Sequence, residues 1–303
     1  PIRSVHGACM YPHQNFIIRH VRYWQIRAGA FPGILTIPGR LMFGVTRPRN
    51  KRLGSEFAGV VEAIGGSVEG FNVGDRVYGI LPDGGATADY IAVSESAAIT
   101  HIPETLDFAE AAALPFGGLC ALIFLDDFAQ VKRDQKVLII GASGGVGVYA
   151  VQMAKALGAV VTAVAGPDNQ TFVTELGADD VIDYKATDIT KLGERFHVVF
   201  DTVGAVSPTE ARSLLLKGGL FLPLNYGLRE IGSAFLNMFR DRKIRIAVNG
   251  DKKEDLERLN ALKEQGKLRP VIGSRFSLDQ AREAHALVET RHKRGSVVLD
   301  LTR

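Results

Sequence analysis

Residues 136–157 read KVLIIGASGGVGVYAVQMAKAL. Val137 to Ile140 is apolar without alternation and too short for a helix, which predicts a strand covered on both faces, as in a parallel sheet. Beyond it Val148, Val151, Ala154 and Leu157 recur at intervals of three, predicting a helix with one packed face and with Gln152 and Lys155 outside that face. Between them Ala142-Ser143-Gly144-Gly145-Val146-Gly147 matches the pattern GxGxxG, with alanine for its first glycine. A bare Cα at Gly144 lets a pyrophosphate reach backbone amides at the positive end of the helix, and one at Gly147 lets the helix lie close to the strand. The pattern alone is weak, but strand, turn and helix in this order supply the context it requires. A glycine-rich turn that only packs tightly is the competing reading.

Outward from this unit the chain alternates. Strands are expected at Val160 to Ala165, Val181 to Tyr184, Val198 to Val203, Leu220 to Leu224 and Ile244 to Val248. Helices are expected at about 168–176, 208–216, 230–240 and 253–265. Six strands with helices between them predict an α/β, doubly wound parallel sheet. Upstream, Gly59 to Ile64, Val73 to Ile80 and Asp89 to Val93 alternate between glycine-rich turns and predict an antiparallel, barrel-like unit. Helical patterns over Asp107 to Leu114 and Leu119 to Phe128 link the two. Tyr23 to Ala28 is expected as a helical turn ending at Gly29, before a loop broken by Pro32, Gly33, Pro38 and Gly39. Residues 1–20 show no clean period. The tail predicts a strand near Val271, a helix over Asp279 to Glu289 and a last strand over Ser296 to Leu301, returning to the first unit.

The 303 residues are 46% hydrophobic and 23% charged, an ordinary globular composition with room for two domains. A net charge of +3 comes from scattered Lys and Arg, which argues against nucleic acid or a membrane as partner. The densest basic stretch, Arg291-His292-Lys293-Arg294, is expected to be solvated. No apolar run approaches the ~20 residues of a membrane span, and the first residues show no signal-peptide core. Two cysteines, Cys9 and Cys120, are too few for a disulfide framework or a zinc cluster, and His6, His13 and His20 are expected in solvent. A cytoplasmic setting is the expectation.

With these segments in hand the chain resembles the medium-chain dehydrogenase/reductase superfamily, in its zinc-independent, quinone oxidoreductase-like branch. The likeness rests on GSEFAGVVEAIG (54–65), GFNVGDRVYG (70–79), AAALPFGGL (111–119), GASGGVG (141–147), LGADDVIDY (176–184) and FDTVG (200–204), in that order. It implies a GroES-like, β-rich substrate domain from residues 1–104 and 269–303, a Rossmann domain over 105–268, and a nicotinamide cofactor between them. Zinc-dependent relatives carry GHE where this chain has Gly54-Ser55-Glu56, and the four cysteines of their second zinc site are absent, so no metal is expected. The early segment departs most from the family pattern: Tyr23-Trp24-Gln25-Ile26-Arg27-Ala28-Gly29 matches only its later half, with Tyr23 where relatives place Asp.

The second Rossmann strand should end at Ala165 or Gly166, where NAD-preferring sites carry a carboxylate. Its absence favours NADPH over NADH, although Asp168 and Asn169 stand where relatives place a cation. Lys185 is the nearest basic residue in sequence, Tyr184 resembles the family tyrosine that lies against adenine, and Asn225 falls where relatives approach the nicotinamide. Hydride delivery to a quinone or an α,β-unsaturated carbonyl leaves charge on oxygen, for which Tyr23 and Ser55 are the candidate hydrogen-bond donors; Glu56 is expected to orient its neighbours. An alcohol dehydrogenase and a catalytically silent NADPH-binding protein remain as other readings. The sixth strand lies at a sheet edge in the expected order, which together with the resemblance implies a homodimer.

Overall fold

The computed structural model describes residues 54–81, 84–225, 244 and 252–301, and the backbone of 15–26 and 243. Its first sheet begins with β1 (Asn15–Ile26), β2 (Glu56–Ile64), β3 (Arg76–Ile80), β4 (Tyr90–Ser94) and β5 (Ile99–His101). β1 pairs antiparallel with β2, and its first half also pairs with β4, Asn15 opposite Ser94 through Arg19 opposite Tyr90. The expected helical turn at Tyr23 is therefore a strand as far as Ile26, while Arg27 to Gly29 lie outside the described residues. The segment is too polar to declare a face, and the ladders that satisfy its amides decide its conformation. β5 has three residues, below the length at which alternation is visible, and was not expected.

Two helices follow, α1 (Phe108–Ala113) and α2 (Pro115–Leu122), the second running on into a π-helical turn at Ile123–Phe128. Asp107 starts α1 through a capping box: its carboxylate accepts from the Glu110 amide at 2.7 Å, and its own amide donates to Glu110 at 3.0 Å. Pro115 then opens α2, where its missing N–H leaves nothing unpaired.

The second sheet is built from β6 (Lys136–Ile140), α3 (Gly147–Ala156), β7 (Val160–Ala165), α4 (Gln170–Glu175), β8 (Asp180–Asp183), β9 (Phe196–Asp201), α5 (Pro208–Leu214), β10 (Leu215–Pro223) and β11 (Lys243–Ile244). Its six strands run in the order β11-β10-β9-β6-β7-β8 with parallel pairing throughout, the doubly wound arrangement expected. β11 sits at the edge, while Ile246 and Val248 and the helix expected over 230–240 lie outside the described residues. The chain closes with α6 (Lys253–Glu264), β12 (Ile272–Ser277), α7 (Ala281–Glu289) and β13 (Ser296–Asp300). β13 pairs antiparallel with the second half of β1, from Tyr23 opposite Asp300 to Ile26 opposite Val297, so the tail completes a seven-stranded first sheet.

α3 is more enclosed than its period suggests. Every residue from Gly147 to Ala154 is buried, Gln152 included. The Gln152 amide explains this: it donates to the carbonyls of Val148 and Arg269 and accepts from the Arg269 amide at 2.8 Å, so a buried polar group is satisfied by the segment leading into β12. Tyr149 acts likewise, its hydroxyl donating to the Ala113 carbonyl at 2.9 Å and accepting from Val271. Across the molecule Tyr78 donates to Asn260 at 2.8 Å, and Asn260 donates to the His101 carbonyl, so α6 is tied to the first sheet.

At Gly147 a Cβ would stand 2.1 Å from the Gly141 carbonyl oxygen and 2.7 Å from the Ala142 Cα, contacts with backbone that cannot turn aside. Gly147→Ala is accordingly expected to cost about 1–3 kcal/mol or more in urea unfolding. Gly144→Ala, whose Cβ would meet only the Gly141 oxygen at 3.3 Å, should stay within a few tenths of wild type.

Candidate active site

The turn between β6 and α3 lies where β6 and β9 diverge, the point at which chain connections leave the sheet in opposite directions and a crevice opens. Its two later glycines have different neighbours. Gly147 is filled by protein, whereas a Cβ on Gly144 would meet only the Gly141 carbonyl oxygen, at 3.3 Å. The amides of Gly145 and Val146 have no hydrogen-bond acceptor among the described residues, at the N-terminus of a ten-residue helix. Unpaired donors, a positive helix end and a missing Cβ suit a phosphate group. Ala142 is fully buried and Val146 nearly so, so these two contribute backbone only; Ser143 and Gly145 are partly exposed.

The floor of the turn is set by α2. A Cβ on Gly117 would stand 2.4 Å from the Gly145 carbonyl and 2.5 Å from the Tyr149 ring, so this helix touches the turn directly. Asp201, fully buried at the end of β9, holds the facing loop: its carboxylate accepts from the amides of Val203, Gly204 and Val206 at 2.8–3.0 Å. Burial raises its pKa, and those amides only partly offset the effect. Thr202 in that loop donates to the Ile140 carbonyl and accepts from Asn225 Nδ2 at 3.3 Å through its own carbonyl. Asn225 thus stands exposed at the end of β10, beside the crevice.

At the other side β7 ends in Ala165, buried, and Gly166, over which the Tyr184 ring lies 3.4 Å from the place a Cβ would take. A shallow cleft of about 470 Å³ runs past Tyr184, Lys185, Thr187 and Asp188 to Ala205. Tyr184 and Lys185 from beyond β8 therefore share a hollow with the loop after β9.

The basic stretch 291–294 is not simply solvated. Arg291 and His292 are exposed, but Lys293 is partly buried and donates to the Gly295 carbonyl at 2.6 Å. The Gly295 amide in turn donates to the Ser143 carbonyl at 2.9 Å, which ties this segment to the glycine-rich turn. Burial pulls the Lys293 ammonium down to about 8, while Glu56 opposes that shift. Glu56 is fully buried and accepts from the Phe116 amide at 2.7 Å, an orienting role at the junction of β2 and α2. Ser55 precedes it, partly exposed, with its carbonyl accepting from Leu81. Tyr23 lies in β1 opposite Ala58, three positions along the neighbouring strand from Ser55. Sequence reading did not single out Gly117, Asp201 or Lys293. The FDTVG and PFGGL segments pointed to the first two, but no local signal marks the third.

Among the described residues no group of three or more His, Cys, Asp or Glu side chains is placed to hold a metal, and no helix is long and apolar enough to cross a membrane. A parallel sheet with a glycine-rich turn at its switch point, together with a β-rich unit closed by the C-terminal strand, is the architecture of two-domain dehydrogenases and reductases. Family models agree in both parts: residues 24–104 match the alcohol dehydrogenase GroES-like domain, and residues 176–299 match a model described as zinc-binding dehydrogenase. The chain is 33% identical over 282 residues to the chloroplastic quinone-oxidoreductase QR1 of Triphysaria versicolor, covering 86% of this chain and 84% of that one. It is 32% identical over 278 residues to the mitochondrial NAD(P)H oxidoreductase RTN4IP1 of Homo sapiens, covering 82% and 70%. The quinone oxidoreductase structure from Coxiella burnetii superposes with a TM-score of 0.85 at 29% identity, over 97% of this chain and 93% of that one. The chain belongs to the medium-chain dehydrogenase/reductase superfamily, in its zinc-independent, quinone oxidoreductase-like branch, and is an oxidoreductase.

The Lys293 environment yields a pH signature. An unfolded lysine titrates near 10.4, whereas the folded one titrates at about 8. Between these values the unfolded chain binds a proton that the folded chain lacks, so stability rises with pH. Urea unfolding of wild type and Lys293→Met at a series of pH values should show wild type gaining on the variant from about pH 8 to about pH 10, with the two running parallel below pH 7. Parallel curves throughout would place the ammonium in solvent.

Proposed function

We propose that the protein is an NADPH-dependent reductase of quinones, α,β-unsaturated carbonyls or related carbonyl compounds, working without zinc. The observation that carries the reading is the bare Cα of Gly144 beside the Gly145 and Val146 amides, which have no acceptor among the described residues. The curated relatives named as quinone and NAD(P)H oxidoreductases support it. In this reading residues 142–147 cradle the pyrophosphate through their backbone, and Ala165, Gly166, Tyr184 and Lys185 receive the adenosine half. Asn225 approaches the nicotinamide. A nicotinamide bound there supplies a hydride to the substrate. Tyr23 and Ser55 donate hydrogen bonds to the oxygen that gains charge, a contribution of a few kcal/mol for a preorganised donor. With serine in place of a ligating histidine at position 55, a zinc ion has no imidazole to hold it. The division into a substrate domain (1–104 and 269–303) and a cofactor domain (105–268) belongs to the same proposal, as does a cytoplasmic setting, which rests on cysteine usage.

Calorimetric titration is expected to give tighter binding of NADPH than NADH, and steady NADPH oxidation is expected with members of a quinone, enone and aldehyde panel. Gly144→Leu should abolish binding of both cofactors while leaving the fold intact. Tight NADPH binding with no turnover on any member would identify a nucleotide-binding protein without catalysis. Turnover confined to alcohols and aldehydes would point to an alcohol dehydrogenase.

We further propose a homodimer formed at the edge of the second sheet. Among the described residues β11 pairs with β10 alone, through Leu220 opposite Lys243 and Phe221 opposite Ile244. An edge strand followed in sequence by Ile246 and Val248 invites a second copy related by a two-fold axis. Light scattering should give a dimer for wild type and a monomer for Ile246→Pro, which removes an amide two residues past β11. A wild-type monomer at micromolar concentration would refute it.

A further inference from the structure

The loop after β7 has no cation of its own, since Gly166, Pro167, Asp168 and Asn169 follow the strand. The fold brings one from 126 residues further along the chain. Arg294 Nε donates to Asn169 Oδ1 at 2.6 Å, Nη2 donates to the Asp168 carbonyl, and the guanidinium lies 5.7 Å from the centre of the Phe172 ring. Its backbone is held by the next residue, whose amide donates to Ser143 in the glycine-rich turn. The side chain thus spans from that turn to the end of β7, the two segments between which an adenosine ribose is received in a doubly wound sheet.

Both of its hydrogen-bond partners are neutral. Asp168 offers its carbonyl and not its carboxylate, and Arg294 makes no ion pair among the described residues. Nη1 has no acceptor among them either. An exposed guanidinium anchored along one side, with its charge uncompensated and an N–H fork free, is arranged to take an anion from solvent. We propose that Arg294 is the specificity-determining residue for the cofactor, pairing with the phosphate monoester on the adenosine ribose of NADPH. This rests on the reading of the turn as a nicotinamide dinucleotide site, and it supplies the cation that the loop 166–169 lacks. A different role for the same contacts is a strut that pins the β7–α4 loop to the C-terminal segment. The two roles differ in what they do to NADH, which carries no phosphate on that ribose.

The test is calorimetric titration of the full chain and of Arg294→Gln and Arg294→Lys with NADPH, NADH and 2′,5′-ADP, with thermal unfolding of each variant in the absence of cofactor. Arg294→Gln should weaken NADPH and 2′,5′-ADP by about tenfold or more, as loss of charge-assisted hydrogen bonds does, and leave NADH within about twofold. Arg294→Lys, which keeps the charge without the fork, should fall between, again for the phosphorylated ligands only; it carries the test if the glutamine variant does not fold. Equal weakening of NADPH and NADH would establish the strut and overturn the proposal. So would an unchanged NADPH preference in both variants, with the dinucleotide reading left standing. A wild type that binds neither dinucleotide would remove that reading, and the proposal with it.

Discussion

Three backbone segments meet at the turn after β6 with no space for a side chain between them. The N-terminus of α3 presses on the Gly141 carbonyl at Gly147, and α2 presses on the Gly145 carbonyl at Gly117. Each contact excludes a Cβ by an ångström or more, which fixes both helices relative to the strand with a precision that side-chain packing alone does not impose. The pairings that build the rest of the site follow from this. Tyr149 reaches Ala113 and Val271 because α3 is held so close, and Glu56 reaches the Phe116 amide because the start of α2 is fixed over β2. A helix displaced by a methyl group at either point would break these buried hydrogen bonds, each at about 0.5–1.5 kcal/mol net.

The polar groups beneath the crevice serve geometry more than charge. Asp201 spends its carboxylate on three amides of one loop, and Glu56 engages the first turn of α2. What the glycine-rich turn itself offers a ligand is backbone N–H and a bare Cα. This suits a reaction in which the bound cofactor carries the reactive bond and the protein supplies position and hydrogen bonds. Such a site does not need the histidine that Ser55 replaces.

The second sheet was legible because a parallel sheet buries each strand on both faces, so apolar runs such as Val160–Ala165 and Lys136–Ile140 announce themselves without alternation. The first sheet was less so. β1 carries Arg19, His20, Arg22 and Gln25, and its pairing with three other strands, two from distant parts of the chain, is information no local window holds. Gln152 was misplaced for a related reason: its burial is set by the Arg269 backbone, 117 residues away. Composition assigned Arg291 to Arg294 to solvent as a block, yet Lys293 is partly buried near Glu56 and Arg294 bridges to Asn169. Neighbouring basic residues part company there because the Gly295 amide, bound to Ser143, fixes the backbone of the segment and turns successive side chains to different sides.

The consequence reaches beyond those two residues. Residues 293–295, which lead directly into β13 of the first sheet, hydrogen-bond to both the 141–147 turn and the 166–169 loop of the second. β13 in turn is held between β1 and β12, so the segment that touches the turn is as firmly placed as the sheet that carries it. A ligand that touched these segments would contact both sheets, and its binding free energy would add to the stability of their junction by mass action. Residues 293–295 come late in the sequence because they lead into β13, the strand that returns to β1, and the intervening α6 is tied to the first sheet by Asn260. The strand that completes the first sheet thus follows directly on the residues that bind the glycine-rich turn of the second, so one segment of chain couples the two.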